Sequence, residues 1–111
     1  MSLPFEISAT DVKAQLDTGE RLVLIDVREP FEHAITSIAG AELIPMNTVP
    51  ARLADIDKQA DSATVVVFCH HGMRSLNVVN WLRGQGVEAC QSMAGGIEAW
   101  STLVDPRVPR Y

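Results

Sequence analysis

The chain has 111 residues, a mass of 12.1 kDa and 47% hydrophobic residues, which suits one domain able to bury about two-thirds of its unfolded surface. Nothing in the composition signals disorder. Nine basic against fourteen acidic residues leave a net charge of −5, with no basic stripe to follow a phosphate backbone, so nucleic acid is not an expected partner.

Two cysteines, Cys69 and Cys90, in a chain that supports its own core do not form a disulfide scaffold. The opening Met1-Ser2-Leu3-Pro4-Phe5-Glu6 has neither a charged n-region nor an apolar h-region. No apolar run reaches transmembrane length. These features predict a reducing, cytoplasmic setting without a membrane partner.

Ser8-Ala9-Thr10-Asp11 has the spacing of a helix cap, with Ser8 capping and Asp11 at the third helical position. Val12, Ala14 and Leu16 then predict a short helix that stops near Gly19. Leu22-Val23-Leu24-Ile25 is a continuous apolar run suited to a parallel strand buried on both faces, and Asp26 ends it. Glu29-Pro30-Phe31-Glu32-His33 predicts a short helix with Pro30 in its first turn. After Gly40, Ala41-Glu42-Leu43-Ile44 predicts a short strand closed by Pro45. Asn47 or Thr48 caps a further short helix, with Pro50 near its start and Leu53 and Ile56 on its inner face.

Val65-Val66-Val67-Phe68 reads as the central strand. From Arg74 to Arg83 the pattern is helical, burying Ser75, Val78, Val79 and Leu82 and closing at Gly84 or Gly86. Val87-Glu88-Ala89-Cys90 predicts a fourth strand, and Gly95-Gly96 opens a last helix through Ile97, Trp100 and Leu103. Trp81 and Trp100 both read as core. The tail, about residues 105–111, is irregular, lying on the surface or packing back. Alternation of strand and helix at these intervals implies an α/β fold with parallel pairing. Ligands of such sheets bind beyond the carboxyl ends of strands, where Asp26 and Cys69 both fall.

The six residues Cys69-His70-His71-Gly72-Met73-Arg74 join the central strand to the following helix. A thiol there faces unpaired N–H groups and the positive end of a helix dipole, which favour the thiolate, the nucleophilic form of cysteine. Gly72 supplies access to positive φ for a tight loop. Arg74 adds positive potential where an anion docks, or pins the loop through carbonyls. Of His70 and His71, one lines the pocket mouth and attracts anions, or both meet solvent. Adjacent histidines seldom reach one metal and no second ligand pair with finger-like spacing is present, so no metal is expected. Cys90 lacks such a loop and reads as structural. Asp26 caps the turn after its strand, and Arg28 pairs with Glu29, Glu32 or a carbonyl, both as supporting residues.

Four stretches in order carry a resemblance: Asp26-Val27-Arg28-Glu29-Pro30, Ile38-Ala39-Gly40-Ala41, Cys69-His70-His71-Gly72-Met73-Arg74-Ser75 and Gly95-Gly96-Ile97-Glu98-Ala99-Trp100. Together they resemble the rhodanese-like sulfurtransferases in their single-domain form. The resemblance implies one domain over residues 1–111, built on a small central parallel sheet of four to five strands flanked by helices. It implies that Cys69 accepts sulfane sulfur from a small anionic donor such as thiosulfate. The sulfur is held as a covalent cysteine persulfide without a further cofactor, and passed to cyanide, a thiol or a protein. The stretch His70, His71, Gly72, Met73 and Arg74 forms the cradle, and a nest of N–H groups suits the persulfide anion.

One departure stands out. The chain has Thr36-Ser37-Ile38 where the family often shows Gly-His-Ile, so Ser37 replaces a common histidine. His33 stands where an aromatic is common. Two other readings are weighed on the loop itself. An interaction or regulatory module has no need of an intact thiolate cradle. A phosphatase or arsenate reductase has a loop one residue longer, whereas four residues separate Cys69 from Arg74 here.

Overall fold

The computed structural model describes residues 3–111; Met1 and Ser2, part of the opening read as lacking a leader pattern, lie outside the described residues. In chain order the elements are β1 (Glu6–Ser8), α1 (Ala9–Asp17), β2 (Leu22–Asp26), α2 (Pro30–Ile35), β3 (Glu42–Leu43), α3 (Leu53–Ala60), β4 (Thr64–Phe68), α4 (Met73–Gly84), β5 (Cys90–Ala94) and α5 (Gly96–Leu103). Short 3₁₀ turns at Met46–Thr48 and Pro50–Arg52 precede α3, where a single capped helix was expected. The five strands form one parallel sheet in the order β1-β5-β4-β2-β3.

The run Thr64-Val65-Val66-Val67-Phe68 is β-branched or aromatic throughout, which suits a pleated strand with both faces covered. It lies at the centre of the sheet. Val65 and Val67 pack with Ile25, Ile56, Val78, Val79 and Leu82 on one face. Val66 and Phe68 pack with Val12, Leu24, Met93, Ile97 and Trp100 on the other. Strand alternation therefore divides one sequence run between two cores. Ser8 caps α1 as expected, its Oγ accepting the Asp11 N–H at 3.1 Å.

Two expectations need correction, and one strand goes unread. The fourth strand begins at Cys90 rather than ending there. Gly86 (φ +95°) turns the chain after α4, and the Val87 N–H donates back to Leu82 O at 3.0 Å, closing the helix instead of starting a strand. The true strand, Cys90-Gln91-Ser92-Met93-Ala94, reads as too polar to be buried. Yet Gln91 Nε2 donates to Pro4 O at 3.0 Å and Ser92 Oγ meets Ser75 Oγ at 2.8 Å, so both polar groups are satisfied inside. Strand β1, with only Ile7 apolar and buried, carries too short a pattern to read, and forms the sheet edge beside β5. Finally, Trp100 is core as expected, whereas Trp81 is 37% exposed.

The register Asp26↔Phe68 sets the carboxyl ends of β2 and β4 level, with Cys69 the next residue. Asp26 and Arg28 are both fully buried there. Arg28 Nε and Nη2 donate to the Asp26 carboxylate at 2.9 and 2.7 Å, and the Arg28 N–H donates to Asp26 Oδ1 at 3.0 Å. Arg28 Nη2 also donates to Thr36 O at 2.7 Å. The arginine thus pairs with Asp26 and with carbonyls, not with the Glu29 or Glu32 side chains. It also holds the segment where Ser37 stands, through backbone rather than through a histidine.

Helix α5 backs onto the cysteine loop. The Ile97 N–H donates to Cys69 O at 2.9 Å and the Glu98 N–H to His70 O at 3.1 Å. Gly96 (φ +59°) permits this approach, since a Cβ there would stand 2.4 Å from both carbonyl oxygens.

Three stability outcomes follow from this packing. Gly96→Ala should lower stability by at least about 2 kcal/mol, combining backbone strain with a clash against fixed backbone. Gly40→Ala, at φ +86° with nothing within 4 Å, should cost only about 1 kcal/mol of strain. Urea unfolding midpoints measure both, and equal losses would refute the contact argument. Asp26→Ala should cost about 3–5 kcal/mol by leaving a buried guanidinium uncompensated, read from the same curves.

Candidate active site

Cys69 is buried immediately beyond β4. Its Sγ accepts the Gly72 N–H at 3.1 Å and the Ser75 N–H at 3.4 Å, and lies 3.4 Å from Ser75 Oγ. Gly72 is the N-cap of α4, so the sulfur occupies the place an anion takes at a helix N-terminus. The loop can curl this tightly because Gly72 has φ +108° and packs closely, a Cβ there falling 3.1 Å from Gly95 N. Behind the sulfur, Ser75 Oγ donates to Gly72 O at 3.2 Å and contacts Ser92 Oγ at 2.8 Å, with both serines fully buried.

Arg74 takes neither of the partners expected for it. Its Nη1 and Nη2 donate to the two oxygens of Glu32 on α2, at 2.7 and 3.0 Å, the bidentate geometry that arginine and carboxylate favour. The Glu32 side chain is 7% exposed. The Arg74 guanidinium holds the Glu32 carboxyl down to about 2 against the opposing effect of burial, with help from the Tyr111 hydroxyl and the Glu29 N–H. The same carboxylate raises Arg74 above the usual arginine range.

The tail packs back over this pair. Tyr111 Oη donates to Glu32 Oε2 at 2.6 Å and accepts from Arg28 Nη1 at 2.9 Å. Its ring stacks on His70 with centroids 3.8 Å apart, and His70 stacks on His71 at 3.9 Å. Burial first, and then Glu32, push the Tyr111 hydroxyl up, so it stays protonated and can donate. Burial, followed by the proximity of His71, pushes His70 down, so its imidazole is neutral at pH 7.

Of the residues expected in the cradle, Gly72 is the one whose N–H donates to the Cys69 sulfur among the described residues, and the second N–H comes from Ser75, one residue beyond the expected stretch. His70 lies under Tyr111, while His71 is exposed and Met73, 72% exposed, points outward at the rim. Asp26 shares the strand end, but its carboxylate is taken up by Arg28 and by His33 Nδ1 at 3.0 Å. Cys90 donates its thiol to Val87 O at 3.3 Å, and burial pushes that thiol up, as suits a structural cysteine. Among the described residues no group of three or more His, Cys, Asp or Glu is placed to hold a metal ion, and no helix is long and apolar enough to cross a membrane. A separate apolar groove is lined by Met46, Val49, Pro50, Asn77, Val78 and Trp81, and Cys69 is not part of its wall.

Glu32, Ser75, Ser92 and Tyr111 were not singled out as site residues from sequence. A serine on the apolar face of α4 was the available sign for Ser75. The other three reach the site only through tertiary contacts, Glu32 to Arg74 across 42 residues and Tyr111 to Glu32 across 79.

Comparison with known proteins bears on this geometry directly. A family model described as Rhodanese-like domain matches residues 8–103. A sulfurtransferase of Allochromatium vinosum is 34% identical over 96 residues, 86% of this chain and 87% of its own length. The Rhodanese-like/PpiC domain-containing protein 12, chloroplastic, of Arabidopsis thaliana is 39% identical over 89 residues, 79% of this chain. The chain spans only 30% of that protein's length, and less of several other relatives. The crystal structure of a rhodanese-like domain protein from Staphylococcus aureus matches with a TM-score of 0.80 at 29% identity, covering 97% of this chain and 99% of that one. With its parallel sheet, the cysteine loop beyond the central strand and the family match over most of its length, the chain belongs to the rhodanese-like family.

Proposed function

We propose that this protein is a sulfurtransferase in which Cys69 carries sulfane sulfur as a persulfide, within a single domain over residues 1–111. The observation that carries the reading is the pair of N–H groups, from Gly72 and Ser75, aimed at a buried Cys69 Sγ at the start of α4. The Allochromatium vinosum relative bears the name sulfurtransferase, which supports the same class.

The chemistry balances without a resident cofactor or metal. The Cys69 thiolate attacks the outer sulfur of a donor such as thiosulfate. The new S–S bond forms on Cys69, the donor's S–S bond breaks, and its electron pair leaves with sulfite. The charge then sits on the terminal persulfide sulfur, one bond beyond Sγ and still close to the converging N–H groups. In the second half-reaction a thiophilic acceptor attacks that terminal sulfur, and the electron pair returns to Cys69 as thiolate. Cyanide would leave as thiocyanate; a small thiol or a protein thiol would leave as its own persulfide.

Donor and acceptor exchange the sulfur atom between themselves, so the cycle consumes no external oxidant or reductant. A reducing, cytoplasmic compartment fits two free cysteines, and neither nucleic acid nor a membrane is needed. The short loop, with four residues between Cys69 and Arg74, supports sulfur over phosphorus chemistry, and so does the pairing with Glu32 of the arginine that would clamp an oxyanion.

Intact-mass measurement on reductant-free protein tests this, before and after incubation with thiosulfate and with a small-thiol persulfide. Wild type and Cys90→Ser should gain one sulfur atom, discharged by cyanide as thiocyanate. Cys69→Ser should gain none while keeping its fold by circular dichroism. A sulfur adduct on Cys69→Ser, or none on wild type from either donor, would overturn the reading.

A further inference from the structure

The arginines near the cysteine mouth are already committed. Both terminal nitrogens of Arg74 are held by Glu32. Arg28 is held by Asp26. Arg110, toward the start of α5, donates through Nε to Glu98 at 2.7 Å. His70 is neutral at pH 7, pushed down mainly by burial. Among the described residues, the groups aimed at the sulfur itself are the uncharged N–H donors of Gly72 and Ser75, with the Ser75 hydroxyl alongside. Three arginines and three carboxylates cancel, on a chain whose net charge is −5.

Resting on the sulfur-carrier reading of Cys69, we propose that Glu32 is a specificity-determining residue that favours sulfane donors bearing one negative charge or none, and disfavours dianions such as thiosulfate. A donor must bring its outer sulfur to a thiolate, so a dianion assembles three like charges beside arginines that are all paired with carboxylates. A monoanionic thiosulfonate or a neutral persulfide assembles fewer. Arg74 cannot swing out to help without abandoning a nearly buried carboxylate. Glu32 is further fixed by Tyr111 Oη at 2.6 Å and by the Glu29 N–H at 3.1 Å. A persulfide donor, R–S–SH, delivers its outer sulfur to Cys69 and leaves as the thiol R–SH. A thiosulfonate leaves as the sulfinate. The Cys69–S bond formed and the donor S–S bond broken are the same kind in each case.

The test compares kcat/KM of wild type and Glu32→Gln for thiosulfate, methanethiosulfonate and cysteamine persulfide. Glutamine keeps the shape and an oxygen for the Glu29 N–H, and leaves one uncompensated positive charge on Arg74. The variant should gain roughly tenfold with thiosulfate through KM, about threefold with methanethiosulfonate and less than about twofold with the persulfide, the order set by donor charge. The thiosulfate gain should shrink as salt is raised. Equal factors for all three donors, as a merely structural role would produce, or a fall with thiosulfate, would overturn the proposal. Wild type supplies an independent check should the variant fold poorly: its kcat/KM for thiosulfate should rise with moderate salt as repulsion is screened, and a fall would overturn the proposal. If no donor loads wild type at all, the carrier reading itself fails and this inference goes with it.

Discussion

The site depends on the direction in which the peptide groups of one short loop point. Between Cys69 and Ser75 the chain must turn from strand to helix, and each peptide unit brings a donor and an acceptor that need partners when buried. The carbonyls of Cys69 and His70 turn backward and accept N–H groups from the first turn of α5. The N–H groups of Gly72 and Ser75 turn inward and converge on Sγ. Neither half is independent. If α5 did not take the carbonyls, the loop would have to twist to satisfy them, and the inward donors would be lost. The two glycine motifs are therefore parts of one device. Gly72 lets the loop curl, and Gly96 lets the helix behind it approach as far as backbone contact.

Around this backbone device the side chains form a balanced electrostatic frame. Asp26 and Arg28 are fully buried and bind each other through two contacts, and the same guanidinium reaches the 36–38 segment and the tail hydroxyl. Glu32 then links α2 to α4 through Arg74. Buried ion pairs of this kind add little net stability over apolar packing, but they penalise any arrangement that separates them. Their effect here is to fix geometry: β2, α2, the tail and the start of α4 are held in one arrangement at the carboxyl end of the sheet. The same contacts leave the guanidinium groups of Arg28 and Arg74 paired with carboxylates rather than free for a ligand.

Much of this was legible in the sequence, and the parts that were not share a cause. Patterns that repeat within one element were readable: the apolar run of β4, the Ser8 cap, the face of α4 and the cysteine loop itself. β5 was misplaced because its polar residues look solvent-exposed, and only the Ser75 hydroxyl and the Pro4 carbonyl, contributed from elsewhere, make Gln91 and Ser92 acceptable inside. Helical spacing alone places Trp81 in the core, but periodicity reports a face and not what covers it. The positions of Cys69 and Gly72 followed from local chemistry. The carboxylate facing Arg74 and the tyrosine across it did not, because neither contact leaves a local trace.

Arg74 shows why an arginine in a cysteine loop at a helix N-terminus is weak grounds for anion binding. The residue type, the spacing and the helix N-terminus all argue for a free cation. A single carboxylate 42 residues away reverses the conclusion, because a bidentate pair presents almost no net field beyond its own length once water and salt screen it. What remains to attract a ligand is the fixed array of peptide dipoles, which acts over a short range and stabilises a charge only once it is within hydrogen-bonding distance. Such an array would suit the persulfide proposed above far better than a dianion that must first be drawn in from solution. On the sulfur-carrier reading proposed above, the geometry is matched to the intermediate rather than to the free donor, which is where catalysis gains and mere binding does not.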